Sequence, residues 1–343
     1  MYFYHVKSIL YIGNKLKKHG KNATGVEVLS PLLESAGYTV YTSSSKLNKF
    51  IRLIEMLWAC YKYRQTVDMV LIDTYSTQNF YFAYAVSRLC DVLQLKYIPI
   101  LHGGNLPKRL KCHAKLSKSI FRKAYVNVAP SVYMMEQFKS YGYKNLVYIP
   151  NAFEIKQYPF KKRDYSEIKL LWVRSFAKIY NPQLAVTILK LLRDEGLQAS
   201  LCMVGPDSGD GSLESVRELA QQLAVEVTFT GKLTKPQWIA LSKEYDIFIN
   251  TTNFDNMPVS VIEAMALGLP VVSTNVGGMP YLIEDGIDGL LVNPNSVREF
   301  VKAIKYLLSN EEEAIRLTVK ARKKVEQFDW NVVKKQWFTV LNN

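Results

Sequence analysis

Cysteine is scarce in this 343-residue sequence, and its positions exclude two ways of holding a protein together. No cysteine belongs to a CxxC pair or has a histidine at zinc-finger spacing, so we expect neither a structural zinc site nor a disulfide framework. The cysteines are Cys60, Cys90, Cys112 and Cys202. Long apolar runs are also lacking, because no window reaches the roughly 18 to 20 uncharged apolar residues of a membrane-spanning helix.

The N-terminal apolar stretch lacks the features of a secretory signal. His5 and Lys7 interrupt it, and no small-residue cleavage site follows. It is therefore interpreted as a first core strand. We expect a cytoplasmic protein that can lie at the inner face of a membrane.

Acidic residues are rare in the first half of the chain. Residues 1–150 hold 21 Lys or Arg against 7 Asp or Glu, whereas residues 151–343 hold 23 of each, so the first half carries the whole net charge of +14. Such an excess indicates an anionic partner, either nucleic acid, phosphates or an acidic membrane surface. The first half contains no RNP, KH or helix-turn-helix signature, so nucleic acid is not the expected partner.

The length and composition predict two globular domains. At roughly 150 residues per domain, 343 residues suffice for about two cores, and 48% hydrophobic with 22% charged residues is typical of folded proteins. Short β-rich runs alternate twice with helix-length amphipathic segments, as in parallel α/β sheets. We therefore predict an α/β fold of two Rossmann-like domains facing a cleft. Residues 1–152 and 153–326 form the domains, and 327–343 form a helix that packs back towards the first.

The predicted strands divide equally between the two halves. In the first half they are Ser8 to Ile12, Tyr38 to Tyr41, Met69 to Asp73, Tyr97 to Leu101, Val126 to Val128 and Leu146 to Ile149. In the second they are Lys169 to Val173, Ser200 to Val204, Glu226 to Thr230, Ile247 to Asn250, Val271 to Ser273 and Leu290 to Val292. Ligands of such sheets bind at the carboxyl ends of the strands, so the loops that follow them hold the candidate site.

Two of these loops in the second half carry charged residues. Arg174 and Lys178 follow one strand, and Asp255 follows another just before a predicted helix. The unpaired N–H groups of Val259 and Ser260 at the start of that helix offer a phosphate site. Glu263 lies about 7.5 Å along the helix axis from Pro258. Two carboxylates that flank an anion site suit a sugar nucleotide, one facing the sugar and the other a ribose.

Several motifs of the second half then identify a family. They are Asp255 with Glu263 eight positions on, EAMALGLPVVSTNVGG from Glu263 to Gly278, DGIDGLLV from Asp285, and FTGKL from Phe229. With them the chain resembles, over nearly its full length, a retaining family 4 glycosyltransferase of the two-domain B-type (GT-B) fold, of the bacterial-type glycosyl transferases group 1. Asp255 stands where the family usually has Glu, and Pro258 where it usually has Gly.

The resemblance implies transfer of a sugar from a nucleotide donor to an acceptor hydroxyl with retention at the anomeric carbon. It assigns Arg174 and Lys178 to the diphosphate, Asp255 to the donor sugar and Glu263 to the ribose, and it places His102 of the first domain near the reacting sugar. Further donor contacts are expected from Gly231, Lys232, Leu233 and Gly25. The expected donor is a UDP-sugar, with a GDP-sugar next. No cofactor and no metal are expected, because cations and a helix N-terminus can stabilise the leaving diphosphate.

The acceptor is expected to be a glycan or a lipid-linked molecule in cell-surface polysaccharide or glycolipid assembly. In residues 46–64, apolar and aromatic residues recur at helical spacing with cations around them, which indicates either a helix lying in a membrane interface or a packed helix with a solvated face. Two alternatives from other classes remain. One is a sugar-nucleotide epimerase of the same architecture, and the other is a non-catalytic membrane or nucleic-acid binding protein.

Overall fold

The structure is a computed structural model that describes residues 8–19, 24–163 and 167–342. The chain divides into two compact units. One comprises Met1–Phe153 with Trp330–Asn343, and the other Glu154–Asp329. Each unit is built around one parallel sheet, and the two are described separately below.

The first unit has a parallel sheet of strand order β2-β1-β3-β4-β5-β6. Its strands are β1 Ser8–Ile12, β2 Thr39–Ser43, β3 Met69–Thr74, β4 Tyr97–Leu101, β5 Asn127–Ala129 and β6 Leu146–Tyr148. Strands β3 and β4 are buried along their whole length, as expected for parallel strands with helices on both faces. Successive strands are added on opposite sides of β1, because β2 lies on one side of it and β3 on the other.

The helices of this unit cover both faces of its sheet. They are α1 Gly25–Ser35, α2 Lys49–Tyr63, α3 Asn79–Val92, α4 Leu106–Cys112, α5 Ala114–Phe121 and α6 Val132–Ser140. Helix α1 packs on one face, and α2 and α3 pack on the other. Helix α2 begins after Asn48, whose side chain accepts hydrogen bonds from the amides of Phe50 and Ile51, so an N-cap determines where it starts.

The second unit has a parallel sheet of order β12-β11-β10-β7-β8-β9. Its strands are β7 Ile168–Val173, β8 Ala199–Val204, β9 Thr228–Gly231, β10 Ile247–Asn250, β11 Val271–Thr274 and β12 Leu290–Val292. Its helices are α7 Pro182–Asp194, α8 Ser212–Gln222, α9 Lys235–Leu241, α10 Val259–Ala266, α11 Met279–Leu282, α12 Val297–Ser309 and α13 Glu311–Val325. This is the doubly wound strand order of dinucleotide-binding sheets.

The last helix, α14 Trp330–Asn342, belongs to the first unit. Its buried Val333, Trp337 and Leu341 join the core beneath β1 and β3. The Tyr38 hydroxyl donates to Asn342 Oδ1 at 3.3 Å, which ties the helix end to the start of β2. The chain thus returns to its N-terminal unit after completing the second.

The α/β fold with two parallel sheets confirms the sequence prediction. Each predicted strand is present, with ends that differ by at most two residues from those observed. No helix in the described part of the chain is long and apolar enough to cross a membrane.

Candidate functional site

The crevice of the second sheet lies between β7 and β10. These strands are neighbours, but the chain continues from β7 to β8 on one side and from β10 to β11 on the other. The loops after the two strands therefore diverge and leave room for a ligand at their carboxyl ends. Arg174 follows β7, and Asp255 follows β10, so both predicted residues lie at this switch point.

Hydrogen bonds hold the two loops together. The Asn253 amide donates to the Ile179 carbonyl at 2.8 Å, and the Thr251 hydroxyl donates to the Tyr180 carbonyl at 3.0 Å. The indole of the buried Trp172 in turn donates to the Thr251 hydroxyl at 3.0 Å. Because these backbone and side-chain groups are paired with one another, the loops form a fixed platform for the charged side chains they carry.

Arg174 and Asp255 form an ion pair in this crevice. The Arg174 guanidinium donates to Asp255 Oδ2, and both side chains are largely buried. The Tyr180 ring lies 4.0 Å from the guanidinium carbon, and Asp255 Oδ1 accepts from the Asn256 amide at 2.8 Å. Arg174 Nε is buried and has no hydrogen-bond partner within the described residues, so the guanidinium retains donor capacity for a ligand.

Lys178 stands apart from this pair. It is exposed, and its ammonium forms no ion pair with any residue that the structure describes. Its backbone amide donates to Asp210 Oδ2 at 2.9 Å. That bond helps hold the pKa of Asp210 below its usual range, after the larger effect of the Ser212 hydroxyl. The side chain of Lys178 is thus free to reach an anion while its backbone is fixed.

The N-terminus of α10 provides unpaired donors. Pro258 is its N-cap, and the first bonds inside the helix reach the Pro258 carbonyl from Val261 and Ile262. The amides of Val259 and Ser260 consequently have no intrahelical acceptor. The Ser260 hydroxyl is buried without a partner among the described residues. These groups can donate hydrogen bonds to an anion at the positive end of the helix dipole.

Gly278 allows the chain after β11 to pass close to the Asp255 loop. Its amide donates to the Asp255 carbonyl at 2.8 Å. A Cβ at this position would lie 1.7 Å from the Asn256 carbonyl oxygen, which no side chain can tolerate. The glycines at the end of the VVSTNVGG motif therefore hold the loop that carries Asp255.

Glu263 is buried in the second turn of α10. Its Oε1 accepts from the Tyr158 hydroxyl at 2.6 Å and pairs with Lys235 Nζ at 2.5 Å. Burial and the charge of Glu263 raise the pKa of Tyr158, so this hydroxyl remains a donor. Oε2 has no hydrogen-bond partner in the described residues, and sequence reasoning did not identify Tyr158 or Lys235 as partners.

The segment Gly231, Lys232 and Leu233 lies at the end of β9. The Gly231 carbonyl accepts from the Gly205 amide at 2.9 Å, which links this end to the loop after β8. Gly231 and Lys232 are exposed. Strand β9 is the edge strand of this sheet, two positions away from β7, so the segment lies at the edge of the sheet and not in the loops that carry Arg174 and Asp255.

A second cluster lies in the first unit at the carboxyl ends of β3 and β4. His102 follows β4, and its Nε2 lies 2.8 Å from Oδ1 of the buried Asp73. The same oxygen accepts from the Tyr11 hydroxyl at 2.8 Å, and Oδ2 accepts from the Val26 amide at 3.1 Å. The Tyr75 ring stacks on the imidazole with centroids 5.3 Å apart. A carboxylate can only accept hydrogen bonds, so we expect the imidazole to carry its proton on Nε2.

Gly25 begins α1 directly against this cluster. A Cβ on Gly25 would lie 2.5 Å from His102 Nε2 and 2.7 Å from Asp73 Oδ1. Only glycine fits, because any other side chain would displace the pair. The structure thus brings together Gly25 and His102, two predicted residues that are 77 positions apart in the sequence.

Asp73 is the residue that sequence reasoning missed here. It appears in the sequence as the end of an apolar strand, Met69 to Asp73, where an acid is unusual because burial of an unpaired carboxylate is costly. An acid at the end of a buried apolar strand was the sequence signal that Asp73 has a role in the site. Its three donors explain how the carboxylate is buried.

No group of three or more His, Cys, Asp or Glu side chains that could hold a metal ion occurs within residues 8–19, 24–163 and 167–342. The expectation of a metal-independent reaction rests on the cations and helix N-terminus described above. It stays a prediction.

Comparison with known proteins identifies the second unit. Residues 154–324 match the family model of the glycosyl transferases group 1. The D-inositol 3-phosphate glycosyltransferase of Corynebacterium aurimucosum is 30% identical over 139 residues, which are 40% of this chain and 33% of that protein. The sulfoquinovosyl transferase SQD2 of Arabidopsis thaliana is 30% identical over 152 residues, which are 43% of this chain and 28% of that protein. The chain therefore matches about a third of the length of these curated relatives.

A solved structure matches over the whole fold. Anabaena Alr3699/HepE, crystallised in complex with UDP-glucose, superposes with a TM-score of 0.77 at 17% identity and covers 98% of this chain and 99% of its own. At 17% sequence identity, this similarity supports the fold alone. Residues 154–324 are thus a glycosyl transferases group 1 domain, and the chain has the fold of the GT-B glycosyltransferases.

Proposed function

We propose that this protein is a retaining glycosyltransferase of family 4 that moves a sugar from a nucleotide sugar to an acceptor hydroxyl in cell-surface polysaccharide or glycolipid assembly. The observation that carries the proposal is the switch point of the second unit. There Arg174 and Asp255 pair beside the start of α10, where the Val259 and Ser260 amides lack an intrahelical acceptor. Cationic and N–H donors around one crevice suit a diphosphate.

The donor diphosphate is bound by Arg174, Lys178 and the N-terminus of α10. As the bond from the sugar to the diphosphate breaks, negative charge grows on the departing phosphate. Fixed donors in a largely dehydrated crevice stabilise that charge more than they stabilise the intact donor. These residues therefore lower the barrier to transfer without a metal ion.

The two carboxylates hold the other parts of the donor. Glu263 receives the ribose hydroxyls at Oε2, the oxygen that Tyr158 and Lys235 leave unoccupied. Asp255 contacts the donor sugar, and the ion pair with Arg174 orients that carboxylate. Gly231, Lys232 and Leu233 contribute further contacts at the sheet edge.

The first unit binds the acceptor. His102, held by Asp73, donates or accepts a hydrogen bond near the reacting sugar, and Gly25 gives space for it. The acceptor hydroxyl attacks on the face that the diphosphate leaves, and a donor phosphate oxygen takes its proton, so the anomeric configuration is retained. The acceptor is a glycan or a lipid-linked molecule at the inner face of the cell membrane. NMR of the product's anomeric proton tests retention.

The identity of the donor's nucleotide and sugar is tested by measuring how much each nucleotide sugar stabilises the folded protein. A donor at 100 times its dissociation constant adds about 2.7 kcal/mol to the free energy of unfolding. UDP-sugars are the expected donors and GDP-sugars the second choice, with ADP-sugars as the comparison. The assay is thermal unfolding with each donor in turn. Absence of a shift with every nucleotide sugar would contradict the proposal.

Nucleotide release separates the transferase from its two rivals. A transferase releases free nucleotide rapidly only when a suitable acceptor is added. An epimerase converts the donor without any acceptor and releases no such burst. A non-catalytic binding protein releases none under either condition. The assay therefore compares nucleotide release with and without a panel of glycan and lipid-linked acceptors.

A further inference from the structure

Helix α2 of the first unit is apolar on two opposite faces. Met56, Ala59 and Cys60 are buried and pack into the core with β1, β3 and α3. The other face remains in solvent although it is as apolar as the buried one. We call this face the α2 stripe, and its members, with exposed fractions, are Leu47 57%, Phe50 72%, Ile51 48%, Ile54 50%, Trp58 58% and Tyr61 55%.

The spacing of the α2 stripe makes it one continuous surface. From Phe50 onward its members are spaced one, three or four residues apart along α2, and Leu47 directly precedes the N-cap Asn48. At 3.6 residues per turn, they lie along a single side of the helix. Single exposed apolar residues are common, but a contiguous row of this kind marks an interaction site. Aliphatic and aromatic side chains together indicate an apolar partner rather than a purely ionic one.

Cations border the α2 stripe. Lys62 Nζ lies 5.0 Å from the Trp58 ring centroid, and the Arg64 guanidinium carbon lies 4.0 Å from that of Tyr61. Glu55 is the acid on this helix, and it pairs with Lys46 at 3.6 Å. Aromatic rings bearing cations at the edge of an apolar face are the arrangement of helices that lie in a membrane interface.

A second basic surface lies on the same side of the sheet. Helix α3 packs against both α2 and α5. Residues 92–135, which include α4 and α5, contain no Asp or Glu. Lys123 pairs with Asp91 at 2.6 Å. Five other exposed cations of this segment form no ion pair within the described residues; they are Lys108, Lys111, Lys115, Lys118 and Arg122. This surface is therefore complementary in charge to an anionic layer.

From these features we propose that the α2 stripe and the α4–α5 cations dock the protein on an anionic phospholipid bilayer, with α2 lying in the plane of the interface. The α2 stripe enters the boundary between headgroups and acyl chains, and the cations face the anionic headgroups. This proposal deepens the proposed function by naming the surface that meets a membrane-bound acceptor. Lipid binding is measured without donor or acceptor, so its failure is distinguishable from failure of sugar transfer.

Two other occupants fit the surface less well. A nucleic acid would use the cations but would leave Phe50, Ile51 and Ile54 without a partner. A second copy of the chain would cover the apolar side chains but would bring like charges on the border of the α2 stripe together. The bilayer satisfies both the apolar row and the cations.

The test is co-sedimentation of the full chain with lipid vesicles. Vesicles of phosphatidylcholine alone are compared with vesicles that also contain phosphatidylglycerol, at low salt and at about 1 M salt, where the Debye length is about 3 Å. We expect strong binding to the anionic vesicles at low salt and much weaker binding to neutral vesicles or at high salt. Equal, negligible binding to both kinds of vesicle would overturn the proposal.

Two pairs of variants separate the apolar and ionic contributions. The double variant Ile54→Ser/Trp58→Ser should bind anionic vesicles about tenfold less tightly for each side chain removed. Its control is Tyr306→Ser/Val319→Ser, two residues of the second unit with 44% and 52% exposure. That control should bind as the unmodified chain does. Unchanged binding by the α2 variant, measured on protein with unchanged circular dichroism, would contradict the proposal.

The charge variant keeps the test valid even if the α2 variant folds poorly. Lys115→Glu/Lys118→Glu should weaken binding to anionic vesicles at low salt by at least about fivefold per lysine. Lys302→Glu/Lys323→Glu makes the same charge change on the second unit and should have a small effect. Equal losses in the two variants would show that only net charge matters and would overturn the assigned surface.

Two further measurements decide between the occupants. Filter binding with homopolymeric RNA should show weak binding that the α2 variant does not change. Light scattering should give the same mass for the unmodified chain and the α2 variant. Tight RNA binding in place of vesicle binding, or a dimer that the α2 variant dissociates, would overturn the bilayer assignment.

Discussion

The buried carboxylate of Asp73 determines the proton position on His102, and the substitution Asp73→Asn tests this. Asp73 Oδ1 faces the His102 Nε2 and the Tyr11 hydroxyl, while Oδ2 faces the Val26 amide. A carboxylate accepts from all three. A carboxamide has one accepting oxygen and one donating nitrogen, so it cannot serve the same three donors.

Either orientation of the new amide has a cost. With its oxygen towards His102, its NH₂ group meets the Val26 N–H, and two donors face each other. With its oxygen towards Val26, its NH₂ group meets Nε2, which must then give up its proton and accept. A hydrogen bond to a charged group contributes about 1.5 to 3 kcal/mol. Because two of the three bonds survive in part, we expect Asp73→Asn to lower the free energy of unfolding by about 2 kcal/mol.

Three measurements check this expectation. Urea unfolding gives the loss of stability, and the ¹⁵N shifts of the imidazole nitrogens show whether the proton has moved from Nε2 to Nδ1. Under the proposed function, turnover should fall by about tenfold, because a reoriented His102 would lose a hydrogen bond near the reacting sugar. The control is Asp68→Asn, an exposed acid that accepts from the Ser8 amide at 3.0 Å, with an expected change within about 0.5 kcal/mol.

An Asp73→Asn protein that keeps both its unfolding free energy and the proton on Nε2 would refute this role of Asp73. In that case the hydrogen bonds to Asp73 would not position His102. Loss of stability with an unmoved proton would mean that the amide keeps its oxygen towards His102 and that the cost arises at Val26.

Four further predictions concern the second unit. Arg174→Ala and Lys178→Ala should each lower turnover by about a hundredfold and donor affinity by less, because charge grows on the diphosphate during transfer; an unchanged kcat would contradict this. Glu263→Gln should weaken nucleotide binding by about tenfold or more, whereas Asp255→Asn should lower kcat, and calorimetry with kinetics separates the two. Activity in excess chelator should equal that without it, and strict dependence on Mg²⁺ or Mn²⁺ would refute the metal-independent assignment. Burial raises the pKa of Asp246 to about 6, above its unfolded value of about 3.9, so its protonated form favours folding at low pH and this contribution is lost as pH rises through 6. Asp246→Asn should therefore stabilise the protein by about 1 kcal/mol at pH 8 after discounting for solvent screening and by less at pH 4, as read from urea unfolding at both values.

The strands could be predicted from the sequence because parallel strands are buried on both faces. Runs such as Met69 to Thr74 and Ile168 to Val173 are nearly continuous in apolar residues, and turns or charged residues end them. The loops after β7 and β10 were identifiable for the same reason, which is how Arg174 and Asp255 could be assigned to one crevice. The comparisons leave the roles of these residues as predictions.

The partners of the site residues could not be predicted. Tyr158 lies 105 positions from Glu263, and Asp73 lies 29 from His102. Nothing local in the sequence indicates either contact, because each depends on how the strands and helices are arranged in space. The exposed face of α2 had two interpretations from its periodicity alone, and the structure shows that its outward row is in solvent.

The balance of charge at the switch point explains why the crevice suits an anion despite its two carboxylates. Asp255 neutralises Arg174, and Lys235 neutralises Glu263. The second carboxylate oxygen of Asp255 accepts from the amide of Asn256, the next residue of the same loop, so both of its oxygens are paired. Around this pair, the unpaired groups of the described residues are the Lys178 ammonium, Arg174 Nε, the Ser260 hydroxyl and the amides at the start of α10. Because those groups are all positive or donating, the site retains a positive potential that only a bound anion such as a diphosphate would neutralise.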